Sequence, residues 1–111
     1  MNYQKFSELL QQFNTELSIA RDKSLTPAER EVVDCYAEAV PIYRDSLLLW
    51  ALKIEKSRYL SDYGQAKEIA DKYALLREST TTIDSEAGIQ AIWAKAGEWL
   101  AKGNAAYSRE P

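Results

Sequence analysis

An all-α fold is what this sequence predicts: an antiparallel four-helix bundle whose second helix is kinked, or split, at Pro41. Three observations lead there. Apolar residues recur at three- and four-residue steps through most of the chain. Turn and capping signals cut that periodicity into four segments. No stretch alternates apolar and polar residues over the length a strand normally needs.

The first helix is carried by Phe6, Leu9, Leu10, Phe13, Leu17 and Ala20, with Glu8, Gln11, Gln12 and Glu16 between them. It spans about five turns and is expected to end near Lys23. The second begins at "TPAE": Thr26 caps, Pro27 suits the first helical position, and Glu29 completes a capping box. Its apolar face is Val32 or Val33, Tyr36, Val40, Tyr43, Leu47, Trp50 and Ile54. Pro41 removes one backbone donor and crowds the preceding turn, yet the apolar steps run through it in register. A bend around a core at Val40–Pro41, or two nearly continuous helices, fits that pattern. From Leu47 to Leu52 every residue is Leu, Trp or Ala. A helix greasy on nearly every side is central in a bundle or packs against another copy.

"SDYGQ" at 61–65 reads as a turn, followed by a third helix with Ala66, Ile69, Ala70, Tyr73 and Leu76 inward. "STTTIDSEAG" reads as a polar break, with Asp84 or Ser85 capping a fourth helix whose inward residues are Ile89, Ile92, Trp93, Ala96, Trp99 and Leu100. Lys102 and Gly103 make a conventional helix end. Residues 1–103 are thus expected to form one helical domain and residues 104–111 a flexible tail.

Composition narrows the function. The 111 residues are 46% hydrophobic and 28% charged, ordinary for one soluble domain with a buried core. The net charge is −3. The best candidate for a basic cluster, Lys53, Lys56 and Arg58, is diluted by Glu55 and Asp62, so no nucleic-acid partner is expected. One cysteine, Cys35, precludes an intrachain disulfide. The start of the sequence lacks a basic segment followed by an apolar run, and no run approaches the ~18 residues of a membrane helix, so a cytoplasmic protein without membrane contact is expected.

Histidine is absent. That removes Ser-His and Cys-His catalysis, imidazole-based zinc sites and the Glu-x-x-His pairs of di-iron bundles. The four glycines stand apart, so no phosphate loop is present. A non-catalytic protein without cofactor or metal is the expectation.

Three features point to binding. Glu31, Asp34, Glu38 and Asp45 fall at helical spacing on one face, and residues 29–45 hold five acids against two bases. Such a face is either a solvated surface or a docking site for a basic partner, and a carboxylate-only Mg²⁺ site is its weaker variant. Tyr36, Tyr43, Trp50, Tyr73, Trp93 and Trp99 fall on inward stripes, whereas Tyr59 and Tyr63 lie where the apolar pattern fades and suit a recognition surface. Small residues of the fourth helix (Ala87, Gly88, Ala91, Ala94, Gly97, Ala101) allow a close approach, within the chain against Leu47–Trp50 or between chains.

The general character is similar to that of small bacterial inhibitors, immunity proteins and adaptors, in composition rather than motif. The expected function is a small protein-binding module of inhibitor, immunity or adaptor type, acting stoichiometrically through Glu31, Asp34, Glu38 and Asp45, with Tyr59 and Tyr63 as anchors. One alternative is a structural homodimer joined through Leu48, Leu49 and Leu52. Another is a bundle holding a small apolar ligand, lined by Trp50, Trp93 and Trp99.

Overall fold

The structure, a computed structural model, describes residues 2–108. Three long helices lie side by side, and a short helix with a small sheet covers one end. The order is α1 (Tyr3–Arg21), α2 (Pro27–Glu55), β1 (Tyr59–Ser61), α3 (Gly64–Lys72), β2 (Arg77–Ser79), β3 (Thr82–Asp84) and α4 (Ser85–Ser108). The body is elongated, 50 × 24 × 22 Å, as helices of this length dictate.

Each long helix starts at a side-chain cap. Asn2 accepts from the Lys5 amide in front of α1. Thr26 accepts from the Glu29 amide while Glu29 accepts from the Thr26 amide, so the capping box forms as the sequence implies. Asp84 accepts from the Glu86 and Ala87 amides at the head of α4.

Pro41 lies inside α2 and does not split it; the helix continues from Pro27 to Glu55. The residue is exposed. Pro41 has no N–H, so the Ala37 carbonyl loses its helical donor while the proline ring stays on the outer side of α2. Both α1 and α4 pack antiparallel on α2. Phe6 meets Trp50 and Phe13 meets Tyr36 on the α1 side, whereas Lys53 pairs with Glu86 and Tyr36 with Asn104 on the α4 side.

Three points depart from the sequence-based expectation. First, a three-stranded antiparallel sheet of order β1-β3-β2 occupies the segment expected to be turn and break. Leu60 pairs with Ile83, and both side chains are buried. The molecule is mostly helical with four helices, but with α3 short and joined to a sheet it is not a simple four-helix bundle. Second, α3 ends at Lys72, and Leu76, expected inward, is almost wholly exposed. Third, α4 does not stop at Gly103. It continues to Ser108, with Gly103 and Ala106 buried, so residues 104–108 are helical rather than a loose tail. Residues 109–111 lie outside the described residues.

The core has two parts. One lies between α2, α4, α3 and the sheet and centres on Leu49, Ile83 and Ile92, each fully buried. The other lies between α1 and α2, around Leu10, Leu17 and Val40. Aromatic rings join them: Phe6 stacks on Trp93 at 5.4 Å, and Trp50 meets Trp93 edge-on at 6.0 Å. The Trp93 indole donates to the buried Ser46 hydroxyl (2.9 Å), which donates to the Tyr43 carbonyl (2.6 Å), so neither polar group is stranded.

The junction of β1, β3 and α4 makes stability depend on acid. Arg58 donates to both Asp84 oxygens (3.0 and 2.9 Å). That bond, aided by the Ala87 and Glu86 amides, holds the Asp84 carboxyl below its ordinary 3.8. Asp71, bonded by Lys67 and Arg77, is likewise lowered. A carboxyl lowered in the folded state favours folding when ionised. Its contribution is complete above 3.8 and is lost as pH falls below it. Thermal unfolding should therefore turn easier below about pH 4, and Asp84→Asn should be less stable at neutral pH with a shallower acid slope. A slope unchanged in Asp84→Asn would show that this carboxylate carries none of the effect.

Candidate functional site

The acidic residues of α2 divide into two groups by what covers them. Glu31, Asp34 and Glu38 line a groove of about 700 Å³ between the first half of α2 and the second half of α4, together with Leu25, Arg30 and Trp99. Asp34 lies 3.7 Å from Arg21, an exposed pair worth little by itself. The Trp99 ring carries the Lys102 ammonium 4.3 Å from its centroid. The groove thus combines three carboxylates with an indole that already holds a cation.

Asp45 shares their helical face but not their surroundings. Its carboxylate accepts from Lys72 Nζ (2.7 Å) and from the Tyr73 hydroxyl. Burial, then this bond to Asp45, pushes the Tyr73 phenol well above its usual range. Asp45 thereby fastens the end of α3 onto α2, a structural role that takes it out of the acidic surface.

Tyr59 and Tyr63 flank β1. Tyr59 is half-exposed beneath the Arg58 guanidinium, 5.2 Å from the ring centroid, and Tyr63 is 81% exposed just ahead of α3. They belong to the sheet end of the molecule. Glu38 and the end of α2 at Glu55 are about 25 Å apart along the helix. The tyrosines and the acidic groove therefore do not form one surface.

Of the apolar trio, Leu49 is 0% exposed and sits in the core, Leu48 is 43% exposed, and Leu52 is half-buried against the core. Leu49 cannot reach another chain from that position. The tryptophans do not share one cavity either. Trp50 and Trp93 line a groove with Lys53, Arg58 and Glu86, whereas Trp99 lines the acidic one.

Sequence reasoning missed a second concave surface. A groove of about 390 Å³ between α1 and α4 is lined by Phe6, Leu9, Phe13, Tyr36, Tyr43 and Leu100. The signal available is the surplus of rings at inward positions of α1 and α2, which helical periodicity alone assigns to the core.

Among the described residues no group of three or more His, Cys, Asp or Glu is arranged to hold a metal ion. Among those residues, too, no helix is long and apolar enough to cross a membrane. Comparison with family models, with curated proteins and with solved structures finds no match.

Proposed function

We propose that this chain is a non-catalytic binding protein that docks a basic segment of another protein in the groove between α2 and α4. The observation that carries the reading is Trp99, whose ring already holds the Lys102 ammonium and which lines one groove with Glu31, Asp34 and Glu38, three carboxylates against the single cation Arg30. A lysine or arginine of the partner would take the place of Lys102 on the indole, close to carboxylates that favour its charge. Glu31, Asp34 and Glu38 speed encounter and hold the cation; Trp99 supplies contact area. Inhibitor, immunity-type and adaptor roles all use such stoichiometric contacts.

The test is titration with a short arginine-rich peptide, and with any partner that native mass spectrometry finds on protein isolated gently from its host. Glu31→Gln/Asp34→Asn/Glu38→Gln should weaken binding roughly tenfold or more and flatten its salt dependence, with an unchanged circular dichroism spectrum. Affinity that survives all three neutralisations would overturn the reading.

A further inference from the structure

The groove between α1 and α4 is separate from the acidic one and has a different chemistry. Its walls are aromatic and aliphatic, from Phe6, Leu9 and Phe13 on α1 to Leu100 on α4, with Tyr36 and Tyr43 of α2 as its floor. It is short and bounded. The α1 side from Phe6 to Phe13 covers about 10 Å, less than two full helical turns. At one end the Phe6–Trp93 stack bridges α1 and α4. At the other, the Phe13 ring lies 6.1 Å from Tyr36, and the Tyr36 hydroxyl donates to the Asn104 side chain at 2.5 Å, linking all three helices. A partner helix needs an open trough several turns long. This one suits an occupant about the size of a fused pair of rings, and its volume falls within the range of small-molecule sites.

Two polar side chains besides Tyr36 line the groove, Asn104, whose oxygen accepts from Tyr36, and Tyr43. Among the described residues the Tyr43 hydroxyl has no hydrogen-bond partner, and it is not a sealed polar atom either. Burial raises its phenol above the ordinary value, so at neutral pH it stays protonated and can donate. Mostly apolar lining with a small number of polar groups is how small-molecule sites fix orientation.

We infer that the α1–α4 groove binds a small planar aromatic compound carrying one hydrogen-bond acceptor, with the rings among Phe6, Phe13, Tyr36 and Leu100 and the acceptor on the Tyr43 hydroxyl. The site is independent of the acidic groove, and either can stand without the other.

The test uses 2-naphthol as probe and the full chain, followed by amide chemical shifts in NMR. Saturable shifts are expected across residues 6–13, 36–43 and 100–104, with a dissociation constant on the order of 1 mM or below. Leu100→Trp, at a half-exposed position, fills the groove and should abolish them. Tyr43→Phe keeps the rings and should weaken binding roughly three- to tenfold. Circular dichroism checks that both variants fold. The absence of saturable shifts up to the solubility of the probe overturns the proposal. So do shifts undiminished in Leu100→Trp, or affinity unchanged in Tyr43→Phe. Shifts of the same residues with protein concentration alone would also overturn it, by assigning the groove to a second copy of the chain.

Discussion

Leu49→Glu is expected to leave the chain unfolded, while Leu48→Glu, one residue earlier, changes stability by about 0.5 kcal/mol or less. The two positions share a sequence environment and differ in what surrounds them. Leu48 is substantially exposed on the outer side of α2. Leu49 has no exposed surface and packs with Leu60, Ile69, Leu75, Ile83, Ile89 and Ile92. A carboxylate there would have no partner, and an unpaired buried charge costs more than the roughly 5–15 kcal/mol that stabilises a domain. The milder Leu49→Ala removes only packing and should cost about 3–5 kcal/mol. Far-UV circular dichroism and denaturant titration separate these outcomes. A folded, soluble, monomeric Leu49→Glu protein would instead make this segment an interface between chains and would sink its assignment to the core.

The same residue shows how far the sequence could be read. Helical periodicity reveals which face of α2 a residue occupies, and it places Leu47 and Trp50 correctly among the inward positions. It does not reveal which elements cover that face at a given height. Leu49 lies off the main apolar stripe and is buried because α3 and the sheet close a further side of α2 near its end. Asp45 shares a face with Glu31, Asp34 and Glu38, but only Asp45 lies where Lys72 and Tyr73 arrive. The docking face expected from four carboxylates is therefore three carboxylates and a clamp. The sheet escaped notice for a different reason. Strands of three residues are too short to show alternation, and "STTTID" carries β-branched residues that are equally at home in a break. What was legible rests on local chemistry: the Thr26 and Asp84 caps depend only on residues within three positions of themselves.

Glycine in α4 gives the second large expected effect, and its sign differs between two positions of one helix. Gly103→Ala should destabilise the protein by about 2 kcal/mol, whereas Gly97→Ala should stabilise it by about 0.5–1 kcal/mol. Intrinsic preference alone favours alanine at both sites by about 1 kcal/mol. At Gly97 nothing lies within 4 Å of an added methyl, so that preference is realised in full. At Gly103 the methyl would meet the Tyr36 ring at 2.6 and 2.8 Å and the Cys35 Cβ at 3.3 Å. A phenol ring cannot yield by rotating a terminal methyl, as the Leu49 and Leu75 side chains can where they face Gly88. Tyr36 must swing away, and the bond from its hydroxyl to Asn104 goes with it. A glycine that ends helices elsewhere here permits two helices to meet across a tyrosine, inside a helix that runs on past it. Thermal melts of the two variants should move in opposite directions, Gly103→Ala down by about 5–10 °C and Gly97→Ala up by a few degrees. If Gly103→Ala proved as stable as the parent chain, α4 would not approach α2 this closely. Tyr36 would then be free of Asn104, and the far wall of the α1–α4 groove would be open.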